Sequence, residues 1–465
     1  MHIVYFRQDL RIADNPALKA AANSGGILPI YILDDINSST QSMGGASRVW
    51  LHHALQSLNN SLSNQLKVFS GDPKKILLNL CDQYDVQGVY WNRCYEPWRI
   101  ACDKDIKESL RRIGIPVNSF NGSLLWEPWE VLKADNTPYK VFTPYFKKGC
   151  LNASTPRLPI NRPEKMAFFK SDIASSTIED LQLLPSIAWH HTIESCWDIS
   201  EKGALNALHE FLENSLADYK EGRNFPNRKC VSRLSPYLHF GQISPHQVWH
   251  EVSCRGDDHN IGHFLSELGW REFSHSLLYH FPSLPSQNLQ AKFDTFPWQE
   301  NPVSLKAWQM GQTGYPIVDA GMRELWQTGY MHNRIRMIAG SFLVKNLLLD
   351  WRHGAEWFWG CLVDADLANN SASWQWVAGC GADAAPYFRV FNPITQGEKF
   401  DPTGEYTRRY VPELDHIPDK YLFKPWEAPD HLLKDAGIKI GEDYPQPIVD
   451  IKQSRLRALE AFKSL

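Results

Sequence analysis

Short apolar runs and amphipathic stretches alternate along the first 130 residues. His2–Phe6, Ile27–Leu33, Leu66–Phe69, Gly88–Trp91 and Val117–Phe120 are apolar or β-branched runs of strand length. Helical spacing fills the gaps at Asn15–Asn23, Ser47–Asn64, Pro73–Tyr84 and Ile100–Ile113. This order predicts a doubly wound parallel sheet with helices on both faces, which takes ligands at the carboxyl ends of its strands. No Gly-x-Gly-x-x-Gly follows any of the strands, so the dinucleotide fingerprint is missing. From about residue 150 to 187 the period lapses, and Pro156, Pro159, Pro163 and Pro185 bracket a Ser-rich stretch, which reads as a connecting loop over the surface. Beyond Gly203 spacing such as Leu205, Leu208, Phe211 and Leu212 is helical and remains so, with no convincing strand. The expected organisation is an α/β domain over 1–130, a linker over 131–202 and a larger all-α domain over 203–465.

Composition narrows the class. The longest apolar run, Ile27–Leu33, is broken by Pro29 and cannot span a bilayer. Met1–Phe6 runs into Arg7-Gln8-Asp9 without a basic leader or cleavage site. A cytoplasmic, membrane-free monomer is expected. The 9 cysteines are odd in number and contain no Cys-x-x-Cys, which argues for reduced thiols rather than a disulfide framework or metal cradle. With a net charge of −4, any nucleic-acid contact needs a locally basic face. Of 18 tryptophans, ten lie between 249 and 376, which suits either an aromatic core or a site that stacks planar ligands and conducts electrons.

Four clusters in the helical part carry candidate chemistry. Tyr219, Arg223 and Val231-Ser232-Arg233-Leu234-Ser235-Pro236 combine basic residues with hydroxyls at a helix start, where a phosphate can be received; a capped helix beside a solvated loop has the same look. Glu267, Trp270 and Arg271 share a helix face, as a surface salt bridge or as the wall of a pocket. Asn333, Arg336 and Met337 lie on one side of a helix with Arg334 turned away, and a buried Arg336 needs an acidic partner. Asp364, Asp366, Asn369 and Asn370, followed by Trp374 and Trp376, offer that partner. Carboxylates, amides and indoles together suit a large heteroaromatic cofactor, although a helix start alone explains Asp364 and Asp366 nearly as well. No metal site is expected: His259 and His263 form an i,i+4 pair without a third ligand.

In order along the chain, Arg7-Gln8-Asp9-Leu10-Arg11, Ser232–Pro236, Trp270-Arg271-Glu272-Phe273, Thr313-Gly314-Tyr315-Pro316, His332-Asn333-Arg334 and Asp383-Ala384-Ala385-Pro386-Tyr387 resemble the photolyase/cryptochrome family. The resemblance implies an antenna-binding α/β domain, an all-α domain holding FAD, and light-driven electron transfer from reduced flavin to a pyrimidine dimer flipped out of DNA. It implies that Tyr219, Ser232, Arg233, Leu234 and Ser235 hold the FAD phosphates. Arg271, Asn333, Arg336, Asp364 and Asp366 would contact flavin and ribose, with Arg336–Asp364 as an ion pair and Asn370 facing flavin N5. Trp298, Trp351 and Trp374 match a three-indole relay. Glu267, Trp270, Met337 and Trp376 match the pocket of cyclobutane-dimer photolyases, with Asn333, Arg223, Arg334 and Gln396 at DNA-contacting positions.

Two other family activities fit less well. A (6-4) photolyase would usually carry Gln at position 267, and a cryptochrome-type receptor would lack the indoles at 270 and 376. Trp91-Asn92-Arg93, Asp364-Ala365-Asp366 and Ala372–Gly379 are similar to the bacterial class III branch, which implies a 5,10-methenyltetrahydrofolate antenna near Glu96 and Trp98. Pro285-Ser286 stand where class I folate binders usually have a lysine, so deazaflavin is the alternative antenna.

Overall fold

The structure is a computed structural model that describes residues 1–170, 172–384 and 389–465, with Thr40 described by its backbone. Residues 385–387 of the Asp383–Tyr387 motif lie outside the described residues. The chain forms two compact units. One comprises Met1–Ala217, Ser232–Pro282 and Val363–Ala368; the other comprises Asp218–Val231, Ser283–Leu362 and Asn369–Leu465.

The first unit is built on five parallel strands, β1 (His2–Phe6), β2 (Ile27–Leu33), β3 (Lys67–Ser70), β4 (Gly88–Asn92) and β5 (Val117–Phe120), in the order β3-β2-β1-β4-β5. His2 pairs with Ile27 on one side and Gly88 on the other, so the order reverses between β1 and β4. All residues of β1, β2 and β4 are buried, as expected of central parallel strands covered on both faces. Helices α1 (Pro16–Ser24), α2 (Gly45–Ser61), α3 (Pro73–Gln83) and α4 (Pro97–Arg112) complete this layer. Asn15 accepts from the Leu18 N–H at the start of α1, and Asp72 accepts from the Lys74 N–H at the start of α3; each is followed by proline in the first turn. The expected surface connection is not wholly detached: Phe168 bridges to Ile27 and Ser176 to Val68.

The loop after β1 is clamped to the helical part of the same unit. Leu10 N–H donates to the Phe240 carbonyl at 3.0 Å, and buried Arg11 donates to the carbonyls of Asp14, Gly122 and Gly241. Gly241 has φ +69°, and a Cβ there would stand 2.1 Å from the Gln8 carbonyl oxygen, so no other residue allows this approach. The long helix His259–His280 follows.

The second unit is helical. Its elements include Pro316–Thr328, Asn333–Ser341, Trp351–Cys361, Pro393–Phe400 and Ile451–Lys463, and the helix Leu367–Ala378 enters it at Asn369. Among the described residues no strand follows β5, and no helix is long and apolar enough to cross a membrane.

Candidate functional site

The first unit has a cleft at the switch point of its sheet. Gln8 and Glu96, from the loops after β1 and β4, line it together with His239, Arg271, His275 and Asp366. Gln8 Nε2 donates to Glu96 Oε1 at 2.6 Å. Asp366 Oδ2 lies 3.5 Å from both His239 Nδ1 and His275 Nε2. Burial alone would raise the Asp366 pKa, but the two imidazoles hold it well below the usual carboxylate range. Ser235, at the start of the helix Ser235–His239, donates its hydroxyl to Asp364 at 2.6 Å.

Arg271 is fixed by the Ser123 carbonyl at 2.8 Å and by Glu272 at 3.0 Å, not by the i,i+4 neighbour Glu267 that the spacing suggested. Glu272 is buried, which raises its pKa against the pull of Arg271 and His275, and it accepts from the Leu125 and Trp126 N–H groups. Glu267 points one turn back towards His263, 3.9 Å away. The Trp270 ring stacks on Phe142 at 3.8 Å, and Phe146 stacks on the same ring of Phe142 at 5.6 Å. Glu96, expected at an antenna site, thus lines the same cleft as Arg271 and Asp366, while Trp98 lies under the Arg99 guanidinium. Ser232 accepts from the Leu234 N–H, and Arg233, at φ +51°, lays its guanidinium 3.9 Å over Trp197.

The second unit carries a cationic cluster. His332 caps the helix Asn333–Ser341: its Nδ1 accepts from the Arg334 N–H at 3.2 Å. Burial, followed by repulsion from Arg223, Arg334 and Arg336, lowers its pKa to about 3. Arg336 Nε donates to the Met331 carbonyl at 2.7 Å. Arg334 is not turned away from its neighbours as expected; its long side chain folds back to place Nη1 3.8 Å from Met337 Sδ and the guanidinium 4.4 Å over Phe400. Phe400 ends the helix that carries Gln396. Arg223 lies over buried Tyr219.

Indoles and an amide occupy the rest of this unit. Trp298 packs on Phe296 at 4.4 Å, and the next N–H, of Gln299, donates to the Leu348 carbonyl just before the helix Trp351–Cys361. Trp351 is fully buried and donates its indole N–H to Asn288. The Trp374 ring rests on Gly354, one turn along that helix, where a Cβ would come within 2.1 Å of it. Trp376 donates to the Asp383 carbonyl at 3.1 Å, and Asn370 Nδ2 donates to the Ala355 carbonyl at 3.0 Å.

Family models for DNA photolyase match residues 2–164, and for the FAD binding domain of DNA photolyase residues 264–464. Deoxyribodipyrimidine photo-lyase of Agrobacterium fabrum is 46% identical over 100% of this chain and 98% of its own length. Cryptochrome-2 of Arabidopsis thaliana is 38% identical over 97% of this chain and 77% of its own. The crystal structure of a bacterial class III photolyase from Agrobacterium tumefaciens superposes with a TM-score of 0.95 at 46% identity, covering 100% of this chain and 97% of that one. The chain belongs to the photolyase/cryptochrome family.

As in other members of this family, residues 264–464 form an FAD-binding domain. The residues present fit such a group. Buried Glu96 Oε2 in the cleft makes no hydrogen bond among the described residues, and neither does buried His332 Nε2 in the second unit; such atoms call for a ligand or water. Asp366 and Arg271 supply opposite charges around the cleft of the first unit, and Ser235 places its hydroxyl on Asp364. His239 and His275 escaped the sequence reading, and Glu272 and His332 entered it only inside motifs, without a role of their own. His275 had one available signal, its position one turn after Arg271 on the same helix face.

Proposed function

We propose that this photolyase/cryptochrome family member is a deoxyribodipyrimidine photolyase that splits cyclobutane pyrimidine dimers in DNA under blue light. When bound, reduced FAD supplies the photoexcited electron that opens the dimer. The observation that carries the reading is the pair Glu267 and Trp270, one turn apart on one helix, with the indole stacked on Phe142 at 3.8 Å. In this reading the Glu267 carboxyl hydrogen-bonds a pyrimidine edge of the extruded lesion, while Trp270 and Trp376 stack on its bases beside Met337.

Tyr219, Ser232, Arg233, Leu234 and Ser235 bind the FAD phosphates; Arg271, Asn333, Arg336, Asp364 and Asp366 orient flavin and ribose. Asn370, fixed through Ala355, presents a neutral amide near flavin N5, where a carboxylate would repel an anionic ring. Trp298, Trp351 and Trp374 carry electrons from the surface. Arg223, Asn333, Arg334 and Gln396 contact DNA, so affinity falls with salt. A methenyltetrahydrofolate or deazaflavin antenna would bind near Glu96 and Trp98. The protein acts as a cytoplasmic monomer with an α/β part over 1–130, a linker over 131–202 and a catalytic part over 203–465.

The test is an oligonucleotide bearing one thymine cyclobutane dimer, mixed with reduced, flavin-loaded protein. Thymines restored in blue light and not in darkness support the reading. No turnover with flavin bound overturns it in favour of (6-4) repair or a cryptochrome-type receptor, and the two are told apart by a (6-4) substrate.

A further inference from the structure

One side-chain cluster lies outside the cleft and takes no part in the proposed photochemistry. His190 ends a short turn, His191 opens the helix His191–Cys196, and Glu194 follows one turn later. Glu194 Oε1 lies 2.9 Å from His190 Nδ1, and Oε2 lies 2.9 Å from His191 Nδ1. One ligand atom from each of the three residues can be chosen so that all lie within 4.8 Å of one another. His53, on α2, reaches across to place Nε2 2.8 Å from Glu194 Oε1. Three imidazoles therefore converge on one carboxylate, within a single compact unit.

We propose that His190, His191 and Glu194 form a binding site for a divalent transition-metal ion of the zinc type, with His53 as the residue that orients Glu194. Two imidazole nitrogens and a carboxylate oxygen are a known zinc ligand set that leaves coordination positions for water. The two imidazole–carboxylate distances are about half an ångström shorter than the edge of a tetrahedron with bonds of about 2.0–2.2 Å, so a metal has to part each ring from the carboxylate only slightly. On metal binding the single proton of each ligating ring passes from Nδ1 to Nε2, and the Nδ1 lone pair this frees is the metal ligand. A hydrogen bond from a second histidine to the ligating carboxylate is the usual outer-shell support of such centres. The ring of His191 is two-thirds exposed, which gives an ion a route in from solvent.

The experiment titrates the flavin-loaded, full-length protein with Co2+ and reads its visible d–d absorption, then displaces it with Zn2+. One equivalent bound at micromolar metal is expected, with a four- or five-coordinate spectrum. His191→Ala and Glu194→Gln should each weaken binding at least tenfold, His53→Gln should weaken it less, and His263→Ala should leave it unchanged. Because the His191 side chain is mostly exposed, its removal leaves the fold intact, and a melting curve for each variant confirms that. Binding that is absent at micromolar metal, or equally strong in His191→Ala and wild type, would overturn the site. Flavin content and dimer repair should not change on metal loading, so this result stands apart from the test of the photolyase reading.

Discussion

His275 and His332 are both buried histidines with Nδ1 tied to the backbone, yet their surroundings have opposite charge. His275 donates from Nδ1 to the Arg271 carbonyl at 2.9 Å and turns Nε2 towards the Asp366 carboxylate. His332 accepts at Nδ1 from a helix-start N–H and lies in the field of three arginines, which together with burial keeps it neutral. A helix N-terminus also repels positive charge, so the cap and the arginines act in the same direction. One residue type thus serves as a donor to a buried acid in one unit and as a neutral acceptor in the other. Residues distant in sequence set these surroundings, and the sequence neighbours alone do not reveal them.

The strongest way to break the comparison is Asp366→Ala. It leaves His239 and His275 facing a buried gap, and leaving such polar groups without their acceptor costs about 1–3 kcal/mol. Denaturant unfolding should show that loss, and flavin absorbance after purification should fall with it. The opposite side is tested by pH. The folded pKa of His332, about 3, is below its unfolded value of 6.5. The unfolded chain therefore binds a proton that the folded chain refuses, so stability is intact above pH 6.5 and falls as pH drops towards 3. Linkage gives a loss of about 1.4 kcal/mol per pH unit across that window. His332→Asn keeps a capping acceptor without the titration, and its melting temperature should depend less on pH between 6.5 and 4. Asn370→Asp sharpens the comparison at the flavin by adding a negative charge with little change in volume. Flavin should stay bound while the stable reduced form is impaired, as read by anaerobic photoreduction. Trp374→Phe disturbs neither charged cluster and should have the smallest effect on stability. Photoreduction of oxidised flavin should stop, while enzyme reduced with dithionite still repairs; losing both would remove the relay role.

The five strands were legible to within one residue: β1, β2 and β4 are buried throughout and read as unbroken apolar runs, while the half-buried edge strands β3 and β5 were marked by the helical stretches on either side of them. Helix starts were legible where Asn15 and Asp72 precede proline. The polar centre was legible only in part. Asp364, Asp366 and Arg271 stood out as charges in apolar context, but their partners did not. His239, His275 and Asp366 come from three separate chain segments, and no spacing rule links them. Glu272 is adjacent to Arg271 in sequence, which helical geometry argues against as a pairing; the long guanidinium reaches round to it. Arg334 deviated for the same reason, since its flexible stem lets it fold back onto Met337. His190 and His191 stand one turn before Glu194 in sequence, but His53, the third imidazole on that carboxylate, was invisible because it lies 141 residues earlier.

The contact at Gly241 has a consequence for how this architecture can be rearranged. Backbone meets backbone there, with Arg11 tying three carbonyls around it, so the sheet and the helices behind it are matched at the level of main-chain shape rather than side-chain choice. Side-chain interfaces can be repacked one substitution at a time, but a main-chain fit cannot. The amino-terminal sheet is therefore not a portable cassette: a chimaera that takes it from a relative must carry the 232–282 segment with it, or lose the seam on which the cleft is built.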